Sequence, residues 1–205
     1  MIPFRPLLLV AFAYLLGSIP FAYLAAKITR GIDLRRYGSG TVSGSMVYEH
    51  VKRWMVVPVG ILDLSKAALP TYLGLRLGFS EGWAAAAGIA AMIGHIWPIF
   101  LGFTGGRGLS TILGVLLVLF PWGDAWLLSF LALGFALRDS APWALASMAG
   151  MPLLVWMLGG SLTLYWVIGA MLAVMLLKRL EANRRPLPVD AAERRQMIWL
   201  RLAVV

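Results

Sequence analysis

Long runs of apolar residues alternate with short polar segments along the chain, and this pattern predicts a series of membrane-spanning helices. A transmembrane helix needs about 20 mostly apolar residues. The first run has no small-residue cleavage site after it, so we interpret it as a span and not as a signal peptide. The runs that approach or reach the required length are 7–26, 55–75, 83–103, 109–137, 142–158 and 162–177.

The run 109–137 decides the number of spans, because residues 121–124 (Pro-Trp-Gly-Asp) interrupt it. Basic residues are concentrated after the first run and in the tail beyond Lys178, and such segments favour the cytoplasmic side. The N-terminal segment carries only Arg5 and is expected outside, which requires an odd number of spans. Splitting 109–137 therefore predicts an all-α bundle of seven transmembrane helices, with the N-terminus outside and the C-terminus in the cytoplasm.

Composition supports a membrane protein with one domain. Of the 205 residues, 60% are hydrophobic and 13% are charged, and there is no cysteine, whereas soluble domains are about 45–50% apolar and about 25% charged. Two histidines and nine acids do not favour a metal site, and we expect no cofactor. The net charge of +9 is interpreted as contact with lipid headgroups and not with nucleic acid. Residues 1–185 are predicted to form a single membrane domain and 186–205 a basic tail on the membrane surface.

Two glycine-rich segments follow the first and third runs and therefore face the same, cytoplasmic side. They are 38–40 (Gly-Ser-Gly) and 105–108 (Gly-Gly-Arg-Gly), the second of which enters an apolar run at Ser110. Free backbone N–H groups, a helix start and a guanidinium suit a phosphate. Glycines also serve tight turns and close packing, which is the better reading of either segment alone. Together with the basic residues they predict an anion site.

Ionisable residues also lie within the predicted spans. His95 stands about two turns before the second glycine segment, where it is either a packing residue or a functional one. Asp63 and Lys66 are three residues apart on one helix face, and we interpret them as an intrahelical pair with a structural role.

The ordered motifs of the chain resemble those of a known family. Gly-Ser-Ile-Pro at 17–20, Gly-Ser-Gly at 38–40, Gly-His-Ile-Trp-Pro-Ile-Phe at 94–100 and the glycines at 105–108 occur in that order, with Asp63 and Lys66 between them. This set is similar to the bacterial membrane glycerol-3-phosphate acyltransferases that use acyl-phosphate as donor. The resemblance extends from the first span to Arg185.

The resemblance implies a seven-helix bundle in the cell membrane with its site on the cytoplasmic side. The implied reaction transfers a fatty acyl group from acyl-phosphate to the 1-hydroxyl of glycerol 3-phosphate, without a metal or a covalent acyl-enzyme, and releases lysophosphatidic acid and phosphate. Its implied partners are these two substrates and membrane lipids. The implied catalytic residues are Ser39, His95 and Arg107. The implied binding residues are Gly38, Gly40, Thr41, Ser45, Arg53, Gly105, Gly106, Gly108, Ser110 and Asn183.

The first glycine segment departs from the family pattern G-S-G-N-x-G-A-T-N-x-x-R. Thr41 and Met46 replace the two asparagines, and Glu49 replaces the arginine expected to hold a phosphate. Arg53 would lie one turn further along if this segment is helical, so Arg53, or Lys52, is expected to take over that role.

Other hypotheses remain open at this stage. The chain could bind phosphorylated lipid precursors without catalysis, or act on a different phosphorylated acceptor. A transporter would require discontinuous helices and polar residues near mid-membrane. In this sequence only the Asp63–Lys66 pair and the break at Pro121 support that hypothesis.

Overall fold

The computed structural model describes residues 4–137 and 139–181. The regular secondary structure of these residues consists of α-helices and short 3₁₀ helices. Short 3₁₀ turns cover Leu34–Arg36, Arg53–Met55 and Ile99–Leu101. The α-helices are α1 (Phe4–Gly17), α2 (Phe21–Arg30), α3 (Gly44–His50), α4 (Val56–Arg76), α5 (Glu81–Ile96), α6 (Leu109–Leu119), α7 (Pro121–Ala136), α8 (Ser140–Met157) and α9 (Leu162–Glu181).

Each predicted span contains a helix, but the first is not continuous. The predicted span 7–26 lies within the apolar segment Phe4–Arg30, which is long enough to cross a membrane and consists of two helices, because the chain breaks at residues 18–20 between α1 and α2. Pro20 has no N–H to continue the helical ladder. The predicted break in 109–137 is confirmed: α6 ends at Leu119, and Pro121 occupies the start of α7, where a missing N–H costs nothing.

Several helices in the described part of the chain are long and apolar enough to cross a membrane. They are the segments Phe4–Arg30, Arg53–Arg76, Glu81–Leu101 and Leu162–Glu181. Apolar side chains such as Phe4, Trp166 and Leu162 are more than 70% exposed on these segments, as expected where helices face lipid.

The chain divides into two compact units, and the first is Met1–Leu119. Helix α1 packs on α5, and α4 packs on both α5 and α6. Glycines make these close approaches possible: a Cβ at Gly17 would collide with the backbone of Ala91, and one at Gly114 would collide with the backbone of Leu64.

The second unit is Phe120–Val205, described as far as Glu181. Helix α8 packs on α7 and α9. The indole N–H of Trp126 donates to the carbonyl of Ser147 at 3.0 Å, and Arg179 Nη2 donates to the carbonyl of Ala141 at 2.6 Å. Arg138, Asn183 and the predicted tail 186–205 lie outside the described residues, and the single domain over 1–185 stays a prediction.

The segment between α2 and α4 is held by its own apolar cluster, which positions the first glycine segment. Helix α2 ends at Gly31 in the left-handed conformation (φ 68°), and Asp33 caps the following 3₁₀ turn by accepting from the backbone N–H of Arg35. The short helix α3 faces this cluster with Met46 and Val47. The buried members are Ala22, Ala26, Leu34, Val42, Met46, Val47, Val51, Val59 and Leu101.

Candidate functional site

The two glycine segments meet in the first unit. The backbone N–H of Val42 donates to the carbonyl of Gly105 at 3.1 Å, which links the end of the first segment to the start of the second. The N–H of Gly106 donates to the carbonyl of His95 at 3.1 Å. These hydrogen bonds bring together residues that are far apart in sequence, and Gly40, Gly105, Gly106 and Gly108 are buried there.

A row of hydroxyl groups leads away from the first segment. Ser39 Oγ lies 2.9 Å from Thr41 Oγ1, which lies 3.2 Å from Ser43 Oγ, which lies 3.0 Å from Ser45 Oγ. Thr41 and Ser43 are buried, whereas Ser45 is exposed. Each link is within hydrogen-bonding distance, so Thr41 and Ser43 connect Ser39 to a hydroxyl at the surface.

Sequence reasoning did not single out Ser43, which the structure places in the middle of this row. Ser43 occupies the N-cap position of α3, yet its side chain makes no capping hydrogen bond. A serine at this position usually accepts from a backbone N–H of the first turn. Its hydroxyl instead bonds sideways to the neighbouring hydroxyls. The sequence signal was the alternation of hydroxyl residues at 39, 41, 43 and 45.

The second glycine segment packs too closely against the third span to admit side chains. A Cβ at Gly106 would collide with the His95 imidazole at Nε2 and approach the carbonyl of Val42, and one at Gly105 would collide with the carbonyl of His95. Gly108 adopts the left-handed region (φ 86°). Thr111 Oγ1 donates to the carbonyl of Gly108 at 2.7 Å. Glycine is therefore required here for close packing as well as for backbone conformation.

His95 connects the second segment to a buried ion pair. Lys66 Nζ lies 2.8 Å from Asp63 Oδ1 and donates to the carbonyl of Ile19 at 2.8 Å, and His95 Nδ1 lies 3.5 Å from the same oxygen of Asp63. Asp63 and Lys66 are each 2% exposed and His95 is 7% exposed. The expected intrahelical pair is present, and it also contacts the histidine and the break between α1 and α2.

Arg107 provides positive charge beside the glycines. Burial lowers the pKa of its guanidinium from the ordinary value, and the carboxylate of Glu49 acts on that pKa in the opposite direction. The guanidinium nevertheless remains charged at neutral pH, because arginine does not lose its proton in proteins. Glu49, the residue that departs most from the family pattern, thus acts electrostatically on the predicted phosphate partner.

The expectation that one helix continues from Glu49 to Arg53 is wrong. Helix α3 ends at His50, and Val51 leaves the helical region with φ −115° and ψ −97°. Arg53 begins a separate 3₁₀ turn, and its guanidinium lies over the ring of Tyr48 at 5.2 Å from the centroid. Lys52 precedes that turn and is exposed. Neither the helix nor these contacts carry Arg53 to the glycine segments.

His50, and not Arg53, lies beside the first glycine segment. Its imidazole faces Gly38, so that a Cβ there would lie 3.3 Å from Nε2. His50 is the last residue of α3. The position could be found only by knowing that α3 turns back over the segment that precedes it.

The remaining predicted residues are distributed between the two units. Ser110 is half-buried in the first turn of α6. Asn183 lies outside the described residues.

Comparisons with known proteins agree with this organisation. A family model for glycerol-3-phosphate acyltransferase matches residues 7–187. The chain is 38% identical over 178 residues to a glycerol-3-phosphate acyltransferase of Synechococcus sp. (strain CC9902), covering 86% of this chain and 88% of that protein. It is 37% identical over 150 residues to one from Geobacter sulfurreducens, covering 73% and 77%.

Two crystal structures of PlsY (YgiH), an integral membrane glycerol 3-phosphate acyltransferase, are similar to the fold. The glycerol 3-phosphate form gives a TM-score of 0.79 at 30% identity, covering 86% of this chain and 89% of that chain. The lysophosphatidic acid form gives a TM-score of 0.77 at 28% identity, covering 85% and 88%.

Proposed function

The chain belongs to the glycerol-3-phosphate acyltransferase family of membrane enzymes, and on that premise we propose that it takes the fatty acyl group from acyl-phosphate. The acceptor in this proposal is the 1-hydroxyl of glycerol 3-phosphate, and the products are lysophosphatidic acid and phosphate. The reaction is a step of phospholipid synthesis.

The observation that carries the proposal is the junction of the two glycine segments at Val42 and Gly105, beside Arg107. A hydroxyl such as that of Ser39 and the guanidinium of Arg107 are donors of the kind that bind phosphate oxygens. Both proposed substrates carry a phosphate group. A site that holds both anions can place the acceptor hydroxyl against the acyl carbonyl.

The reaction requires little from the protein beyond this alignment of the two substrates. In acyl-phosphate the carbonyl already carries a phosphate leaving group. The acceptor oxygen forms a bond to the carbonyl carbon, the bond from that carbon to the phosphate oxygen breaks, and the hydroxyl proton leaves with a phosphate. Positioning and charge stabilisation supply the rate. In this proposal Arg107 stabilises the charge of a phosphate group and Ser39 donates a hydrogen bond to a substrate oxygen. His95 positions the second glycine segment, because its imidazole packs against Gly106.

We also propose the topology predicted from sequence: seven spans in the cell membrane, with the N-terminus outside and the C-terminus in the cytoplasm. The break at Phe120, which gives α6 and α7 in place of one long helix, supports the odd count. The glycine segments then face the cytoplasm together with the basic residues that follow the first span.

A second candidate rests on Glu49, whose carboxylate acts on Arg107. A negative group beside the predicted phosphate partner weakens the attraction of that guanidinium for a phosphate, and in this candidate the chain acts on a different phosphorylated acceptor, or binds phosphorylated lipid precursors without catalysis. The two candidates differ in whether lysophosphatidic acid is formed.

The donor is tested by product analysis. Purified protein in detergent is given glycerol 3-phosphate with either palmitoyl phosphate or palmitoyl-coenzyme A, and lysophosphatidic acid is measured by mass spectrometry. We expect product from palmitoyl phosphate only. Product from the thioester alone would overturn the proposed donor. Absence of product from either, with folded protein, would favour the second candidate.

A further inference from the structure

We propose that His50 binds the phosphate group of a substrate at the first glycine segment. The proposal rests on the proposed function, because it names a further binding residue of the same site. The substrate-binding residues predicted from the sequence do not include His50.

The fold places the imidazole beside Gly38, next to the thioether of Met46. Helix α3 returns over the segment that precedes it, so that Nε2 of His50 lies 3.3 Å from where a Cβ of Gly38 would stand. Gly38 has a positive φ of 47°, a conformation that favours glycine. The same point is close to Met46, whose sulfur accepts from Ser39 Oγ at 3.6 Å. The histidine therefore faces the segment that carries Ser39.

The imidazole nitrogen that faces Gly38 has no hydrogen-bond partner among the described residues, although the atom is buried. The carboxylate oxygen Glu49 Oε2 lies 3.6 Å from it, which is beyond hydrogen-bonding distance. A buried polar atom without a partner costs free energy, and such atoms call for an explanation such as a bound ligand. A phosphate oxygen at Gly38 would supply the missing partner.

The chemistry of the group suits this ligand. An imidazole nitrogen donates a hydrogen bond to an anionic oxygen either as the Nε2–H tautomer or in the protonated form. The other side of the ring is restrained by Tyr37, with ring centroids 5.5 Å apart. A restrained donor costs less conformational entropy on binding than a mobile side chain does.

Glu49 has a positioning role in this arrangement. Its carboxylate lies beside His50 and acts electrostatically on Arg107. One acid thus acts on two donor groups near the glycine segments. Position 49 carries no donor, and the histidine at the next position supplies one.

The ligand class is a phosphate monoester or an acyl-phosphate, and kinetics distinguish the two. KM is measured separately for glycerol 3-phosphate and for palmitoyl phosphate in His50→Ala and His50→Gln. We expect KM for one of the two substrates to rise roughly ten- to hundredfold in His50→Ala, with kcat nearly unchanged. His50→Gln should fall between this variant and the natural chain, because its amide can donate. Unchanged KM for both substrates in folded His50→Ala would overturn the proposal.

Ligand binding at His50 can also be measured by NMR, without turnover. The chain has only two histidines, so His50→Gln assigns the imidazole signals in a nitrogen-15 NMR spectrum of the natural chain. We expect the His50 signal to move on addition of glycerol 3-phosphate or inorganic phosphate; an unmoved signal at saturating concentrations of both would overturn the proposal. If the natural chain forms no lysophosphatidic acid but its His50 signal moves, the acyl transfer fails while the phosphate site stands.

Discussion

Asp63 Oδ1 lies 3.5 Å from His95 Nδ1 in the buried interior of the first unit, and the same oxygen pairs with Lys66 at 2.8 Å. The contact joins a charge pair on α4 to the histidine on α5 that packs behind Gly106. Asp63 is therefore a positioning residue for the second glycine segment, acting through His95. The sequence reading of Asp63 and Lys66 as purely structural leaves out this connection.

The Asp63 contact predicts unequal effects of single and double substitution. Asp63→Asn leaves the Lys66 ammonium buried without a charged partner, which costs about 3–5 kcal/mol of stability. Asp63→Leu combined with Lys66→Met removes both charges and should restore much of that loss. Thermal unfolding in detergent measures both. A double variant as unstable as Asp63→Asn would show that the loss does not come from an unpaired charge.

The double variant also tests positioning. It removes the carboxylate that faces His95 and leaves the sequence of both glycine segments unchanged. We expect its kcat to fall while it remains folded. Full activity in a stable double variant would contradict the role given to Asp63.

Gly106→Ala is predicted to abolish most of the activity. The added methyl group would collide with the His95 imidazole and approach the Val42 carbonyl, so the second segment must move. Displacement of a binding group by about 1 Å lowers rates on the order of a hundredfold. Gly60→Ala is the matched control, because a Cβ there meets nothing within 4 Å. Equal activity of the two variants would contradict the packing described for Gly106.

Thr41→Val is predicted to weaken substrate binding without unfolding the protein. Valine keeps the shape of threonine but removes the hydroxyl that links Ser39 to Ser43. Loss of a hydrogen-bonded link costs about 1 kcal/mol, so KM should rise several-fold. Ser65→Ala serves as control, since that hydroxyl is exposed and bonds only its own helix at Leu62. A KM unchanged by Thr41→Val would separate the hydroxyl row from binding.

The proposed topology predicts the side on which loops are labelled. The chain has no cysteine, so a single introduced cysteine gives an unambiguous signal. Ser80→Cys should react with a membrane-impermeant maleimide in intact cells, whereas Arg36→Cys should react only after permeabilisation. Both positions are exposed. The reverse pattern would overturn the orientation.

Local signals in the sequence predicted most of the helices. Apolar runs of sufficient length placed a helix in every predicted span, and Pro121 marked the start of α7. The break before α2 had a comparable signal in Pro20, but an apolar run on both sides concealed it. The junction of the two glycine segments was predicted only as a shared side of the membrane, because the hydrogen bond between Val42 and Gly105 joins residues 63 positions apart and no local pattern encodes it.

The phosphate-binding groups were harder to predict for a physical reason. The expectation for Arg53 assumed that α3 continues, but α3 ends after seven residues at His50. Where a side chain points after a short helix depends on how that helix packs, and here Met46 and Val47 are buried in the apolar cluster. That packing turns His50 toward Gly38 and places Arg53 on Tyr48.

The most direct test of acyl transfer from acyl-phosphate is phosphate release by the purified protein. Palmitoyl phosphate is supplied with and without glycerol 3-phosphate, and Arg107→Ala is compared with Arg76→Ala, which removes an exposed arginine at the end of α4 that lies over the Tyr72 ring. We predict release that requires glycerol 3-phosphate, is lost in Arg107→Ala and is kept in Arg76→Ala. Release that is independent of glycerol 3-phosphate, or unchanged in Arg107→Ala, would contradict the proposed function and its site.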